Sequence, residues 1–340
     1  MKAAVVRENG RIELADIPEP APGPYDCLVK IDACAACTGT DLNIIAGTFP
    51  WREELPIVLG HESTGLIVEV GERVRHFEPG QRVTRPAAVL PGQRRDGLGS
   101  NWGGFAELGL VRDLEAASAD GVEGGGGGGL SRVPLSDDVD PISAALSVNQ
   151  REILSVVARF TLGADSRVAV VGSGYNGLLF SFFAAHFGAG TVLMVGNERR
   201  SALATSAFGA DAFADYRQDG AARSAREALG GDPTHVIDAV GSVSSMHLAT
   251  DLLGPQTAFG CYGVHEYEAT RPLVEQVDAT HPSLDMTTDE PGATEAWYEM
   301  WRDGDFAREG MIGGLLPLES IVLAFDLLAR RRAVKLVLTM

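Results

Sequence analysis

RVAVVGSGYNGLLFSFFAAHFGAGTVLMVG, residues 167–196, is the stretch on which the fold turns. RVAVV is a short β run, and Gly172-Ser173-Gly174-Tyr175-Asn176-Gly177 follows it at once. The apolar run LLFSFFAAHFGA then reads as a helix ending at glycine, and TVLMVG (191–196) as a second strand. A lone G-x-G-x-x-G is a weak signal. Here strand, glycine loop, helix and strand follow in order within about 30 residues, the context that makes the loop a dinucleotide-binding turn. The glycines permit a tight turn, close approach of a pyrophosphate and close helix–strand packing. The helix N-terminus supplies free amide donors and a positive dipole end for the phosphates.

The end of the second strand separates NAD from NADP. An acid there accepts hydrogen bonds from both ribose hydroxyls and repels a 2′-phosphate. That position is Gly196, followed by Asn197, with Arg199 and Arg200 just beyond as forked donors for a phosphate. Glu198 is a competing acid past the strand end, and the bland alternative is a solvated arginine pair at a helix start. NADP(H) is preferred over NAD(H).

Outward from this unit, ATSAFGADAFADY, HVIDAVGS (235–242) and TAFGCYGV (257–264) continue the α/β pattern. Val240 and Gly241 end a buried strand in a glycine turn expected on the nicotinamide side. PISAALSVNQREILSVVARF, upstream, reads as helical, and SIVLAFDLLARRR followed by KLVLTM closes the chain as helix and strand. Residues 265–310 are polar and weakly periodic; Trp297 and Trp301 at i and i+4 read as one helical face packed on the core. The first 115 or so residues look all-β, with MKAAVV, CLVKIDA and STGLIVEVG broken by turn clusters. Residues 115–131, with their consecutive glycines, read as a flexible surface loop without a catalytic role.

With 340 residues, two domains are expected. The net charge of −18 argues against a nucleic-acid partner. No leader pattern and no apolar run of spanning length is evident, and four cysteines make no disulfide framework, so a cytoplasmic protein without a membrane partner is the expectation.

In the β-rich part, Cys37 follows CLVKIDA, and Gly60-His61-Glu62 follows PIVLG. A thiolate, an imidazole and a carboxylate are the ligand types of a zinc site, and loops at strand ends are where a scaffold exposes reactive groups. The competing reading is a buried cysteine and a core histidine that never meet. Cys34 and Cys37 also form C-x-x-C. Without a second such pair a four-cysteine knuckle is excluded, and the phase of the strand makes Cys34 a packed residue more readily than half of a redox pair.

Taken together, C-T-G-T-D (37–41), G-H-E (60–62), G-x-x-V-x-x-F-x-x-G-x-x-V (71–83), G-G-F-A-E (103–107), G-S-G-Y-N-G (172–177) and the terminal K-L-V-L resemble the medium-chain dehydrogenase/reductase superfamily, specifically its zinc-containing alcohol and polyol dehydrogenase branch. The resemblance covers nearly the whole chain. It implies an α/β fold: a GroES-like β-rich catalytic domain (1–145 and 290–340) plus a Rossmann doubly wound parallel-sheet cofactor domain (146–289). By the same resemblance Cys37 and His61 bind one catalytic zinc, with Glu62 adjacent or exchanging and Asp41 orienting His61. Thr40 takes the substrate proton. Glu152 is the last ligand, with Gln150 as fallback and a surface-helix glutamate as the bland reading.

Departures are visible. The chain carries an extra residue in C-T-G-T-D, Asn43 where a histidine is frequent, and none of the cysteines of the family's structural zinc. The function implied is interconversion of a secondary or primary alcohol, with a polyol, cyclitol or natural-product intermediate among the candidates, and its carbonyl by hydride transfer with NADP(H), in a homodimer or homotetramer. A zinc-free quinone or enoyl reductase of the same superfamily, or a non-catalytic NADPH-binding sensor or structural protein, are the alternatives. Phe49, Trp51 and Trp102 either line the substrate site or pack in the core.

Overall fold

The structure is a computed structural model and describes residues 1–122, 134–136, 138–306 and 311–340. The chain falls into two compact units, one of Met1–Gly47, Trp51–Val148 and Ile312–Met340, the other of Thr48–Pro50 and Asn149–Met311.

The first unit opens with β1 (Lys2–Val6), β2 (Ile12–Asp16) and β3 (Asp26–Ala36), followed by α1 (Asp41–Ala46), β4 (Ile57–Val58), β5 (Glu62–Val70), β6 (Arg82–Thr84), β7 (Gly99–Ser100) and β8 (Leu108–Arg112). Then come α2 (Leu114–Ala119), β9 (Pro134–Leu135) and the start of α3 (Pro141–Val157). Two sheets result, β2-β1-β4-β7 and β15-β16-β3-β5-β6-β9, with β8 on β3; β15 (Gly314–Pro317) and β16 (Leu336–Thr339) come from the end of the chain. The C-terminal KLVLTM segment thus returns to pair antiparallel with β3, Leu336 opposite Ala36. Apolar clusters of this unit include one with Ala3, Val5, Ile31, Val58 and Ala106 and another with Cys27, Val29, Ile67, Val83 and Val111.

Two helices depart from the expected pattern: α1 interrupts the all-β stretch, and α2 takes up the start of what the sequence reads as a flexible loop at 115–131. The six-residue runs DLNIIA (α1) and LEAASA (α2) are too short to show a helical period, and each is set by its surroundings: Gly47 ends α1 in the left-handed conformation, and the Asp113 side chain caps α2 through the Ala116 N–H. The glycine run of the expected surface loop lies outside the described residues.

The second unit alternates: β10 (Arg167–Val171), α4 (Tyr175–His186), β11 (Thr191–Gly196), α5 (Ser201–Ala207), β12 (Ala212–Asp215), α6 (Ala221–Leu229), β13 (His235–Asp238), α7 (Val243–Leu252) and β14 (Ala258–Cys261). All five strands are parallel in the order β12-β11-β10-β13-β14, the order of a doubly wound nucleotide-binding sheet. Its strands are near-continuous apolar runs because helices cover them; Ala169, Val171, Leu193, Val195, Val236 and Phe259 form the centre of one core cluster.

Two more helices, α8 (Tyr267–Asp278) and α9 (Thr294–Arg302), occupy the weakly periodic stretch 265–310. The return to the first domain, expected near residue 290, comes at Ile312. The reason is packing. Trp297 of α9 is fully buried, stacks on Trp301 with centroids 6.0 Å apart, and donates its indole N–H to Gln150 Oε1 at 2.8 Å, which ties α9 to the second unit. Among the described residues, the first unit also holds α10 (Ile321–Ala329). Among the described residues no helix is long and apolar enough to cross a membrane.

Candidate metal and dinucleotide sites

Cys37 is the first residue beyond β3, and His61 and Glu62 stand where β5 begins. The turn before them requires glycine. Gly60 has φ +105°, and a Cβ there would lie 2.6 Å from the Phe105 backbone nitrogen and 2.9 Å from Cys34 Sγ. This close approach sends the chain back on itself and aims His61 toward Cys37. The thiol, the imidazole and the carboxylate of Cys37, His61 and Glu62 offer ligand atoms all within 4.8 Å of one another, and all three residues are buried.

Supporting groups surround them. Asp41, at the first position of α1, accepts the Cys37 N–H on Oδ2 at 2.9 Å and sets Oδ1 3.4 Å from His61 Nδ1. The Thr40 N–H donates to Cys37 Sγ at 3.4 Å. The Thr40 side chain is part-exposed and makes no cap hydrogen bond to α1. Arg85, buried and in the left-handed region at φ +57°, donates to the His61 carbonyl at 2.8 Å. Lys335, just before β16, places its Nζ 2.5 Å from Glu62 Oε1 in a pair buried on both sides. Sequence motifs assign no role to Lys335 or Arg85; the K-L-V-L ending marks only the neighbourhood of Lys335.

Burial works against a charged His61, but the Asp41 carboxylate and the Cys37 thiol outweigh it and hold its pKa well above the ordinary histidine value. The same balance holds for Lys335, where Glu62 and then Cys37 offset the burial penalty and raise the ammonium pKa. His61 Nδ1 and Asp41 Oδ1 are buried without a hydrogen-bond partner. Sulfur, nitrogen and oxygen donors converging in this way fit a zinc ion, and a metal on His61 Nε2 would draw the Nδ1 proton toward Asp41.

Cys34 points elsewhere: it is fully buried, its thiol pushed well up by burial, and its Sγ faces the Ala35 carbonyl at 3.8 Å. Glu152 lies on α3, where its Oε2 accepts from Asn149 at 3.2 Å; the clustered ligand atoms among the described residues are those of Cys37, His61 and Glu62. Gln150 has its amide oxygen on Trp297 and its Nε2 3.4 Å from the Tyr175 hydroxyl.

The glycine loop spans the turn from β10 to α4. A Cβ on Gly177 would lie 1.9 Å from the Gly172 carbonyl oxygen, so the helix starts against the strand end only because that residue is glycine. Around Gly174 there is open space on the Cβ side. Tyr175 and Asn176 open α4, with Tyr175 buried. Ser173 Oγ accepts the Asn197 N–H at 3.0 Å and joins the loop to the end of β11. There, Asn197 Oδ1 accepts the Arg199 N–H, and partial burial lowers the Arg200 pKa. Beyond β13, Asp238 Oδ1 accepts the N–H groups of Val240 and Gly241 at 2.8 and 3.1 Å and fixes that turn.

The chain is similar to known proteins along both of these parts. Residues 23–119 match the family described as Alcohol dehydrogenase GroES-like domain, and residues 177–302 the family described as Zinc-binding dehydrogenase. An alcohol dehydrogenase of Cupriavidus necator is 29% identical over 365 residues, covering 98% of this chain and 96% of that protein. The NADP-dependent isopropanol dehydrogenase of Thermoanaerobacter brockii is 29% identical over 239 residues, 64% of this chain and 62% of its own. A crystal structure of a chain assigned as a zinc-binding dehydrogenase, from Sinorhizobium meliloti 1021 and bound to NADP, has a TM-score of 0.77 at 25% identity and covers 100% of this chain and 99% of that one. The GroES-like half and the parallel-sheet half both being matched, and in this order along nearly the full chain, the protein belongs to the medium-chain dehydrogenase/reductase superfamily, in its zinc-containing alcohol dehydrogenase-like branch, and is an alcohol/carbonyl oxidoreductase.

Proposed function

We propose that the protein interconverts an alcohol and its carbonyl with NADP(H), using one catalytic zinc and no structural zinc. The convergence of Cys37, His61 and Glu62 within 4.8 Å carries this reading. A zinc held there would supply Lewis acidity toward the substrate oxygen, and a bound nicotinamide the hydride exchange. The chain's own residues do the rest. Cys37 and His61 hold the metal, Glu62 stands beside them as an adjacent or exchanging ligand, and Asp41 orients the His61 ring. Glu152 completes the ligand set in this reading. Gln150 is the weaker candidate, because its amide oxygen already accepts from Trp297. Thr40, its hydroxyl not engaged in capping, takes the substrate proton.

For the cofactor, Gly172 to Gly177 and the start of α4 hold the pyrophosphate, and Val240 and Gly241 flank the nicotinamide. Gly196, Asn197, Arg199 and Arg200 receive the 2′-phosphate. Absence of an acid at the end of β11 and the arginine pair beyond it favour NADP(H); so do the NADP named for the isopropanol dehydrogenase and for the Sinorhizobium structure. Assembly as a homodimer or homotetramer is part of the proposal and is read by light scattering.

Metal analysis with cofactor kinetics tests the reading. About one zinc per chain is expected, lost in Cys37→Ser, together with faster reduction of NADP+ than of NAD+ across an alcohol panel. Zinc-free protein that still oxidises NADPH with quinones or enones would instead make it a quinone or enoyl reductase.

A further inference from the structure

Three residues of the glycine loop carry side chains: Ser173, Tyr175 and Asn176. Ser173 ties the loop to the end of β11. Tyr175, at the first position of α4, is the largest of the three and is buried. A buried phenol needs a partner for its hydroxyl, because an unmade hydrogen bond away from water is costly. The Tyr175 hydroxyl accepts from Gln150 Nε2 at 3.4 Å and faces Met311 Sδ at 3.8 Å.

Gln150 is buried too, and its other end is committed to α9. Its Oε1 accepts the Trp297 indole N–H at 2.8 Å. One amide therefore spans from α9 to the first turn of α4. The α9 end of this span is firmly held. Trp297 is fully buried and stacks on Phe306 with centroids 6.1 Å apart, besides its contact with Trp301. Next to Gln150 on α3, the buried Arg151 donates to Thr294 Oγ1 at 3.2 Å and lies 3.6 Å from Glu290 Oε2. Helices α3 and α9 are thus fastened together on both sides of the Gln150 amide.

A glycine-rich turn has little of its own to hold it, since glycine loses the most conformational freedom on being fixed. An anion site built from backbone N–H groups binds well only when those groups are held in place beforehand. The Tyr175 N–H belongs to the first turn of α4, whose amides have no acceptor within the helix. Fixing the Tyr175 side chain fixes that turn.

We infer that Gln150 and Tyr175 are positioning residues of the dinucleotide site, forming a buried strut that transmits the rigidity of α9, through Trp297, to the glycine loop. The inference rests on the reading of that loop as the seat of the NADP(H) pyrophosphate. It gives Gln150 a role in cofactor binding and makes α9, more than 100 residues downstream, part of what sets cofactor affinity.

Calorimetric titration of the full-length protein tests it, with NADP+ and with adenosine 2′-monophosphate, which lacks the pyrophosphate. Tyr175→Phe, Gln150→Leu and Trp297→Phe are each expected to raise the Kd for NADP+ about fivefold, with the Kd for adenosine 2′-monophosphate unchanged. Breaking either joint disconnects the same strut, so Tyr175→Phe combined with Trp297→Phe is expected to bind NADP+ no more weakly than either single variant. Should the leucine or tryptophan variants fail to fold, Tyr175→Phe decides, since it removes a single oxygen and keeps the ring. Binding of NADP+ by Tyr175→Phe within twofold of wild type overturns the inference. So does equal weakening of both ligands, or a double variant whose losses add, either of which marks general loosening of the fold. If wild type binds neither NADP+ nor NAD+, the cofactor reading itself fails, and this one with it.

Discussion

At the scale of single residues, the candidate cluster was legible because each of its groups sits in a short motif next to a strand end. Cys37, His61 and Glu62 are such residues, and the structure brings their ligand atoms together. Lys335 was not legible. Its partner Glu62 lies far away in sequence, and a lysine before a terminal strand looks like any solvated cation. Its burial beside Glu62, with Nζ 2.5 Å from a carboxylate oxygen, has an energetic consequence. Lys335→Met leaves Glu62 as a buried charge without its cation and is expected to destabilise the metal-free protein by about 3–5 kcal/mol. Glu62→Gln added to it should recover a large part, since the remaining group is neutral. Urea unfolding of the three proteins checks this; equal stability of single and double variants would contradict it.

At the scale of elements, the sequence located β10, α4 and β11 because apolar runs and glycines agree locally. The reading of Gly196 changes in the structure. From the sequence its use is to leave room for a phosphate; in three dimensions a Cβ there would lie 2.4 Å from Ser173 Cβ and 2.5 Å from its Oγ. Glycine at the end of β11 is thus also what lets the glycine loop close on the strand. Gly196→Ala is expected to cost about 1–3 kcal/mol through overpacking and to weaken NADP+ binding, with Ser173→Gly restoring part of both. Thermal melts and cofactor titrations of the single and double variants measure it, and an alanine variant as stable as wild type would refute it. Short α1 and α2 escaped notice for the opposite reason: six residues do not show a period, and their caps act only in the folded loop. In α8, Pro272 inside the helix broke the local pattern as well.

At the scale of the whole molecule, residues distant in sequence share charges that give stability a pH dependence. His76 Nδ1 lies 2.9 Å from Asp113 Oδ1, with Glu115 3.7 Å from Nε2 and Arg75 opposing from the same loop. Asp113 raises the His76 pKa above its ordinary value. Burial alone would raise the pKa of Asp113, but the N–H groups of Ala116, Arg75 and His76 outweigh it and hold the carboxyl down to about 2. A raised histidine pKa stabilises the fold fully below its unfolded value near 6.5 and loses that contribution as pH rises past the folded value. The depressed Asp113 contributes above about pH 4 and loses its part as pH falls toward about 2. The melting temperature of wild type should therefore exceed that of His76→Ala most at about pH 5 and by less at about pH 9; a gap that is constant or widens with pH would count against the pair.

What the sequence by itself determined is whatever is encoded between near neighbours: the parallel βαβ unit, the glycine loop, the thiol, imidazole and carboxylate at the strand ends, and the family they resemble. Tertiary structure decided the rest. It returned β16 to β3, held residues 290–306 with the second unit through Trp297, buried Lys335 on Glu62, and set Trp102 against His61. The physical reason is range. Backbone propensity and motif chemistry act within a few residues and leave their mark there, whereas burial and charge pairing join positions whose adjacency exists only after the chain has closed on itself.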